Sequence, residues 1–199
     1  MIASRPRPRG RAAVLGSATG VLVVAGALAL PGATVPGGTG VADAAARCST
    51  PAPKAKGAGS AAAAVKRLVR GVGTRTSKAP KVGSPKGRPP SRLVKDDVVR
   101  CPGRRAKVGD TLEVRYSLVV WGGKKQVVDS TWSRGSGTAS FGLERGGLIE
   151  GWIKGVPGMT AGSRRVLVVP PSQGYGSEGT AGVPARSTLI FVIDLVKIG

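Results

Sequence analysis

The sequence predicts an α+β domain in which several antiparallel strands pack around one short helix. Two observations in the second half of the chain lead to this class. Apolar and polar residues alternate there in several short runs, as in half-buried strands. One segment, Gly146–Gly155, has instead the i, i+3, i+4 apolar spacing of a helix. Its apolar positions are Leu148, Ile149, Trp152 and Ile153. No internal repeat is evident, so a single sheet domain is expected.

The first expected strand starts at Thr111. Every second residue from Leu112 to Leu118 is apolar or aromatic, and the residues between them are polar. This period of two is typical of a strand with one buried face. Gly122-Gly123 then predicts a hairpin-type turn, which places a second strand around Gln126–Ser130.

Three further strands complete the expected sheet. Their ranges are Ala139–Leu143, Arg164–Val169 and Thr188–Ile198. The short helix lies between the first two of these strands. A Gly-rich, Pro-containing loop, Pro170–Ser187, separates the last two.

Residues 1–46 have the pattern of an export signal. Four arginines within residues 5–11 precede an uncharged apolar stretch, Ala12–Leu30. Small residues at 42–46 fit an A-x-A cleavage pattern, which predicts a mature chain that begins between Ala45 and Arg47. The alternative is a retained membrane anchor through residues 12–30, since about 20 apolar residues can span a bilayer.

The two cysteines, Cys48 and Cys101, both follow the expected cleavage point. An even pair in an oxidising compartment suggests a disulfide. A second interpretation makes Cys48 a lipidated N-terminal cysteine, although Arg47 stands where that signal favours Gly or Ala. The sequence has no His, which excludes His-based metal sites, triads and general bases, and two cysteines alone cannot form a structural zinc site. No cofactor or metal is therefore expected.

Charge divides the rest of the chain. Residues 47–95 contain thirteen Lys or Arg and no Asp or Glu, whereas residues 96–199 contain fourteen basic and nine acidic residues. The segment from 49 to 91 is rich in Ala, Gly, Pro, Ser and Lys and has no aromatic residue, so it is expected to be mostly a flexible linker. Only Ala61–Val69 is expected to form a turn or two of helix. The expected organisation is a signal or anchor at 1–46, a basic linker at 47–91 and a domain at 92–199.

The basic linker has three interpretations. It could adsorb to an anionic cell envelope or membrane surface through residues 47–95. It could bind nucleic acid, but no aromatic residue is present to stack on bases and the chain has an export pattern, so nucleic acid is disfavoured. The third interpretation is a solvated linker with no partner.

Residues 96–199 also carry an ordered set of Gly, Asp, Pro and aromatic motifs. The motifs are Val108-Gly109-Asp110, Tyr116, Val128-Asp129-Ser130, Gly147–Trp152, Gly158-Met159, Val169–Pro171, Gly174-Tyr175-Gly176 and Ser187–Phe191. In this order they resemble the FKBP-type peptidyl-prolyl cis/trans isomerases. The resemblance implies an antiparallel sheet half-wrapped around one helix. It also implies an enzyme that speeds rotation about X-Pro bonds, here in exported proteins, and a site for macrolide inhibitors.

The resemblance assigns roles to individual residues. Five of the seven aromatic residues fall at positions that match the FKBP pocket: Tyr116, Phe141, Trp152, Tyr175 and Phe191. It makes Trp152 the floor, with Tyr116, Phe141 and Phe191 as walls. Leu148 and Ile149 line the entrance, and the Ile149 N–H bonds a substrate carbonyl. The Tyr175 hydroxyl contacts the substrate carbonyl. Asp129 is the buried polar group, held by Tyr116 and Arg134. Val128 and Val183 complete the substrate-binding set.

Some positions depart from the family pattern. Val128 stands where many active members have an aromatic residue, and Thr138 or Ala139 stands where they have Phe. The usual pair of branched aliphatic residues before a Pro is reduced to Val183-Pro184. The pocket is therefore expected to be wider and wetter on one wall, and the activity modest. The alternative is a catalytically weak FKBP-fold binding module or chaperone at the cell envelope.

Overall fold

A computed structural model of the chain describes residues 48–55, 59–123, 127–135 and 137–199. The predicted signal or anchor at 1–46 lies outside these residues. In chain order the elements are α1 (Ser60–Gly71), β1 (Val94–Val99), β2 (Thr111–Val120), β3 (Asp129–Ser130), β4 (Ala139–Gly142), α2 (Glu150–Gly155), β5 (Arg164–Val169), a 3₁₀ turn (Pro171–Gln173) and β6 (Leu189–Ile198). Neither of the two described α-helices has the length and apolar character that a membrane crossing requires.

The strands form one antiparallel sheet in the order β1-β5-β6-β2-β3, and β4 also pairs with β2. The long β2–β6 pairing runs from Leu112 opposite Ile198 to Val120 opposite Leu189. Helix α2 packs on the face of this sheet that carries Leu118 and Phe191, which we call the front face. A Cβ added at Gly155 would lie 2.7 Å from Leu167 Cδ1 on β5, so glycine permits this close approach. The predicted fold class, an antiparallel sheet around a short helix, is confirmed.

The predicted elements differ from the structure mainly at their ends and in one strand. The first strand continues to Val120, the strand expected at Gln126–Ser130 is described only as Asp129–Ser130, and the helix begins at Glu150 rather than Gly146. Strand β1 was not predicted at all. It contains Asp96 and Asp97, both buried, and two adjacent acids hide the apolar pattern that would reveal a strand.

The helix expected at Ala61–Val69 is present and slightly longer, since α1 runs over Ser60–Gly71 and makes about three turns. Its buried side chains pack against the rear face of the sheet, which is lined by valines, Ile190 and Trp121. The buried residues of this segment are Ala64, Val65, Leu68, Val69 and Val72. Few apolar residues suffice here because the sheet supplies the opposing apolar surface, which the composition of the segment alone cannot reveal.

The segment after α1 also lies against the sheet. The indole N–H of Trp121 donates to the Gly87 carbonyl (2.9 Å), and the Ser84 hydroxyl donates to the Val120 carbonyl (2.9 Å). The Gly122 N–H donates to the Pro85 carbonyl (3.1 Å). We call residues 48–93 the extension. These hydrogen bonds hold the second half of the extension against the C-terminal end of β2.

A buried ion pair joins the extension to the sheet. Arg164 on β5 is 1% exposed and binds Asp194 on β6 through two hydrogen bonds of 2.5 and 2.7 Å. Two more of its N–H groups donate to the carbonyls of Gly73 and Lys78, each at 2.9 Å. One guanidinium therefore fixes the turn that follows α1.

The disulfide suggested by the two cysteines is present and joins Cys48 to Cys101. Next to it, Ser49 and Arg100 exchange two backbone hydrogen bonds of 2.7 and 2.8 Å. The Asp96 carboxylate accepts hydrogen bonds from the backbone N–H groups of Lys54 (2.7 Å) and Ala55 (3.3 Å). The start of the extension is thus tied to β1 by covalent and polar contacts. The division of the chain at residues 46 and 91 stays a prediction.

Asp97 gives the fold a predictable acid sensitivity. Burial alone would raise its pKa, but hydrogen bonds from Arg165 (2.6 Å) and Arg100 (2.7 Å) outweigh burial and hold the pKa below its ordinary value of 3.8. A carboxyl with a lowered folded-state pKa stabilises the fold above its ordinary pKa, and this stabilisation is lost as the pH falls through the folded-state pKa.

We therefore expect Asp97→Asn to be less stable than the native chain at neutral pH, with a difference that shrinks below about pH 4. Urea unfolding of both chains from pH 7 to pH 2 measures this difference. A difference that stays constant over the range would contradict the role of the Asp97 charge.

Candidate active site

Four aromatic rings meet on the front face of the sheet, around Trp152. The Trp152 ring centroid lies 5.7 Å from that of Tyr116, 5.4 Å from Phe141 and 5.5 Å from Phe191, and all three contacts are edge-to-face. Tyr116 also contacts Phe141 (6.1 Å) and Phe191 (6.5 Å). Edge-to-face rings at these distances attract one another beyond simple burial, so the cluster is rigid as well as apolar.

The sheet register brings these rings together. Tyr116 on β2 lies opposite Ile193, and Leu118, two residues along the same face, lies opposite Phe191 on β6. Strand β4 adds Phe141 opposite Leu112 on the other side of β2. Because residues two apart share a face of a strand, the three rings point to one side of the sheet. Helix α2 then places Trp152 over them, where it is 4% exposed.

A charged group lies at the edge of the aromatic cluster. The Tyr116 hydroxyl donates to Asp129 Oδ2 (2.5 Å) and accepts a hydrogen bond from Arg134 Nη2 (2.7 Å). Arg134 Nη2 also lies 3.4 Å from Asp129 Oδ1, and its guanidinium carbon lies 5.6 Å from the centre of the Tyr116 ring. The Asp129 side chain is 22% exposed. The structure thus brings together the three residues that the resemblance grouped.

Both tyrosines remain neutral at physiological pH. Burial raises the pKa of Tyr116, and the nearby Asp129 carboxylate raises it further. Burial also raises the pKa of Tyr175, with a second contribution from the charge of Asp129. Each hydroxyl therefore keeps its proton and can act as a hydrogen-bond donor.

The other predicted binding residues border the same cluster. Val128, Leu148, Ile149 and Tyr175 are half-buried against the hydrophobic core that contains the four rings, and Val183, 4% exposed, belongs to that core. Val128 also lies close to the loop before β6, since a Cβ added at Gly182 would be 3.2 Å from Val128 Cγ1. Nine of the eleven residues named from the sequence therefore lie in or against this core, and Asp129 and Arg134 are bonded to its Tyr116. Nothing polar among them resembles an acid, base or nucleophile set for covalent chemistry.

Sequence reasoning missed the residue that supports Tyr116 from behind. Thr131 is fully buried, its hydroxyl accepts a hydrogen bond from the Tyr116 N–H (3.1 Å), and its own N–H donates to the Tyr116 carbonyl (3.1 Å). The adjacent Ser130 hydroxyl also lies 3.1 Å from that carbonyl. A Thr after a short strand usually faces solvent in a turn, so the sequence carries no signal for this role.

Comparison with known proteins agrees with this geometry. A family model described as FKBP-type peptidyl-prolyl cis-trans isomerase matches residues 103–196. A probable FK506-binding protein of Corynebacterium glutamicum is 40% identical over 118 residues, which cover 59% of this chain and 97% of that protein. An FK506-binding protein of Streptomyces anulatus is 38% identical over 121 residues, covering 60% of this chain and 96% of that protein.

A solved structure is similar as well. The crystal structure of AtFKBP13 matches with a TM-score of 0.50 at 30% identity, and the match covers 55% of this chain and 95% of that chain. The family model spans the residues that build the aromatic cluster, and the two relatives are matched over nearly their whole length. The chain therefore belongs to the FKBP-type peptidyl-prolyl cis/trans isomerase family.

Proposed function

We propose that this chain accelerates rotation about X-Pro bonds in polypeptides that fold outside the cytoplasm. The observation that carries the proposal is the group of four rings around Trp152, bordered by the neutral hydroxyl of Tyr175 and by Asp129. Such a site offers an apolar surface for a proline ring and a small number of placed polar groups.

The chemistry requires no acid, base or nucleophile. Rotation about an X-Pro bond is slow because amide resonance must be broken, at a cost of about 18–20 kcal/mol. The planar amide has the larger charge separation, so removing water from the bond raises the planar form relative to the twisted one. A shaped apolar pocket can therefore favour the twisted state.

We assign the residues to this task as follows. Trp152 lies under the proline ring, and Tyr116, Phe141 and Phe191 form the walls. The Tyr175 hydroxyl and the Ile149 N–H donate to substrate carbonyls. Asp129 holds the Tyr116 hydroxyl and Arg134 in place at the pocket edge, which keeps the Tyr116 ring fixed as a wall.

The refolding of a protein whose slow phase is an X-Pro isomerisation tests this proposal. We expect catalytic amounts of the chain to shorten the slow phase, and Tyr175→Phe to weaken the effect several-fold because one substrate hydrogen bond is lost. Tyr175→Phe keeps the ring, so it separates the hydroxyl from the packing. A folded chain that leaves the slow phase unchanged at every concentration would contradict the proposal.

The same experiment separates the alternative, a binding module or chaperone with little catalysis. Val128 and Ala139 favour it, because small side chains on one wall leave less apolar contact for a substrate. A binding module would suppress aggregation and slow refolding at stoichiometric amounts. An isomerase acts below stoichiometry and raises the rate constant.

Export is a separate proposal, supported by the basic and apolar pattern of residues 1–46 and by a disulfide that an oxidising compartment would preserve. Cell fractionation and N-terminal sequencing test it, with an expected mature start between Ala45 and Arg47. Retention of residues 12–30 would indicate the anchor instead. A lipid on Cys48 would require its sulfur to be free of the disulfide, so mass spectrometry of the mature N-terminus distinguishes these states.

Contact of residues 47–95 with an anionic envelope surface is also a proposal. It is supported by the excess of positive charge in this segment. Sedimentation with vesicles of anionic lipid measures it, and vesicles of neutral lipid are the control. Equal binding to both would contradict it.

A further inference from the structure

The extension carries a groove with an apolar floor and a basic rim. The groove lies between α1 and the segment that follows it. Leu68 and Val82 belong to its floor, and Arg67, Lys81 and Lys86 belong to its rim. Val127 also lines the groove and is 47% exposed. The groove thus combines apolar surface with positive charge. A ligand that fills it would need both apolar groups and negative charge.

Within the part of the chain that the structure describes, the cations of the rim have no salt-bridge partner. The described part of residues 48–95 contains eleven Lys or Arg and no Asp or Glu, and none of the salt bridges among the described residues includes any of them. Helix α1 and the hydrogen bonds of Ser84 and Trp121 hold the backbone of the rim in place. A partner with negative charge would therefore meet cations on a pre-formed scaffold.

One residue of the groove, Val127, is a chain neighbour of residues at the edge of the aromatic cluster. Val127 lines the groove, whereas Val128 packs against the aromatic cluster and Asp129 lies at the pocket edge. Consecutive Cα atoms are about 3.8 Å apart, so the backbone of the groove at Val127 is close to the backbone that carries Val128 and Asp129.

We propose that this groove binds an extended, acidic and apolar segment of the polypeptide substrate, next to the proline that occupies the pocket. Carboxylates of the segment meet Arg67, Lys81 and Lys86, and its apolar side chains contact Leu68, Val82 and Val127. A flat membrane surface cannot enter a groove, and a phosphate polymer has no use for the apolar floor. The inference rests on the proposed isomerase function, because it names the class of substrate that the enzyme selects.

Binding is tested first without a proline, so that the result does not depend on catalysis. The probe is a fluorescent peptide of alternating Glu and Leu, and its comparison peptides carry Lys in place of Glu or Ser in place of Leu. We expect fluorescence anisotropy to show binding of the Glu/Leu peptide alone, with an affinity that falls as salt is added.

Two pairs of variants locate the site. Arg67→Glu with Lys81→Glu should weaken binding about tenfold or more, whereas Arg70→Glu with Lys78→Glu, an equal change of charge at exposed positions outside the groove, should weaken it far less. Val127→Asn should weaken binding several-fold, and Val108→Asn, at an equally exposed valine elsewhere, should not. Circular dichroism checks that every variant is folded.

Equal losses in both charge pairs would overturn the proposal, since binding would then follow net charge alone. Displacement of the peptide by polyphosphate, together with no effect of Val127→Asn, would identify a phosphate polymer as the occupant and would also overturn it. In a second assay, an acidic and apolar segment placed beside the proline should lower the KM of a test substrate. The Arg67→Glu and Lys81→Glu variant should lose this gain with kcat unchanged. If neither substrate is turned over, the isomerase proposal fails while the binding result still stands.

Discussion

Replacing Arg164 with Met is expected to destabilise the fold by about 3–5 kcal/mol, because it leaves the Asp194 carboxylate buried without its partner. The same change removes the hydrogen bonds to the Gly73 and Lys78 carbonyls, which hold the turn after α1. Burial already raises the pKa of Asp194 in the native chain. The variant should therefore regain part of its stability at low pH, where Asp194 is neutral.

Chemical denaturation of three further chains makes this result specific. Arg104→Met breaks a salt bridge whose arginine is 53% exposed, so it should cost less than about 1 kcal/mol. Arg164→Met combined with Asp194→Leu removes both charges and should recover much of the loss. A similar small loss for Arg164→Met and Arg104→Met would show that the buried pair does not hold the extension to the sheet.

Replacing Asp129 with Leu is expected to lower kcat/KM about tenfold or more, which corresponds to about 1.4 kcal/mol of transition-state stabilisation. The change removes the acceptor for the Tyr116 hydroxyl and the partner of Arg134. The Tyr116 ring is then free to move, and Arg134 becomes an unpaired charge beside an apolar pocket. Asp129→Asn keeps a hydrogen-bond acceptor and should lose less.

The matched control for this prediction is Glu113→Leu. Glu113 is a half-buried acid on β2, the strand that carries Tyr116, and its carboxylate accepts from the Thr138 hydroxyl rather than from a pocket group. Isomerase rates with an X-Pro peptide should be nearly unchanged in this variant. Equal losses in Asp129→Leu and Glu113→Leu would mean that Asp129 acts only through stability.

The strands of the fold could be predicted where one residue in two is apolar or where the whole run is apolar. Thr111–Val120, Arg164–Val169 and Leu189–Ile198 follow this rule and were found within a few residues. Strand β1 could not be found, because its Asp97 is satisfied by Arg165 from a strand more than sixty residues later in the sequence. Such a long-range partner leaves no local pattern.

Helix α1 shows a second limit of sequence reasoning. Only a turn or two of helix was expected at Ala61–Val69, because in isolation a helix of the length of Ser60–Gly71 is marginal. Its stability comes from the rear face of a sheet formed much later in the chain. The alternating pattern of β2 and β6 predicted a sheet with one buried face. In the structure both faces of the sheet are covered, because α1 and the extension lie over Val119, Ile190 and Val192.

The pocket could be named from the sequence because aromatic residues are few and ordered. Tyr116, Phe141, Trp152 and Phe191 meet around one centre, as the resemblance implied. The support of Tyr116 by Thr131 could not be named, since buried hydroxyls depend on how the chain turns after β3. The basic groove also needed the structure, because its rim cations become a surface only once α1 docks on the sheet.

The most direct test of the central claim is NMR exchange spectroscopy of an X-Pro peptide at equilibrium, with residues 47–199 added in catalytic amounts. We expect the cis/trans exchange rate to rise in proportion to the protein concentration, and a saturating macrolide inhibitor of the FKBP class to return it to the uncatalysed rate. No acceleration by the folded chain, or acceleration that the macrolide leaves unchanged, would contradict catalysis in the Trp152 pocket.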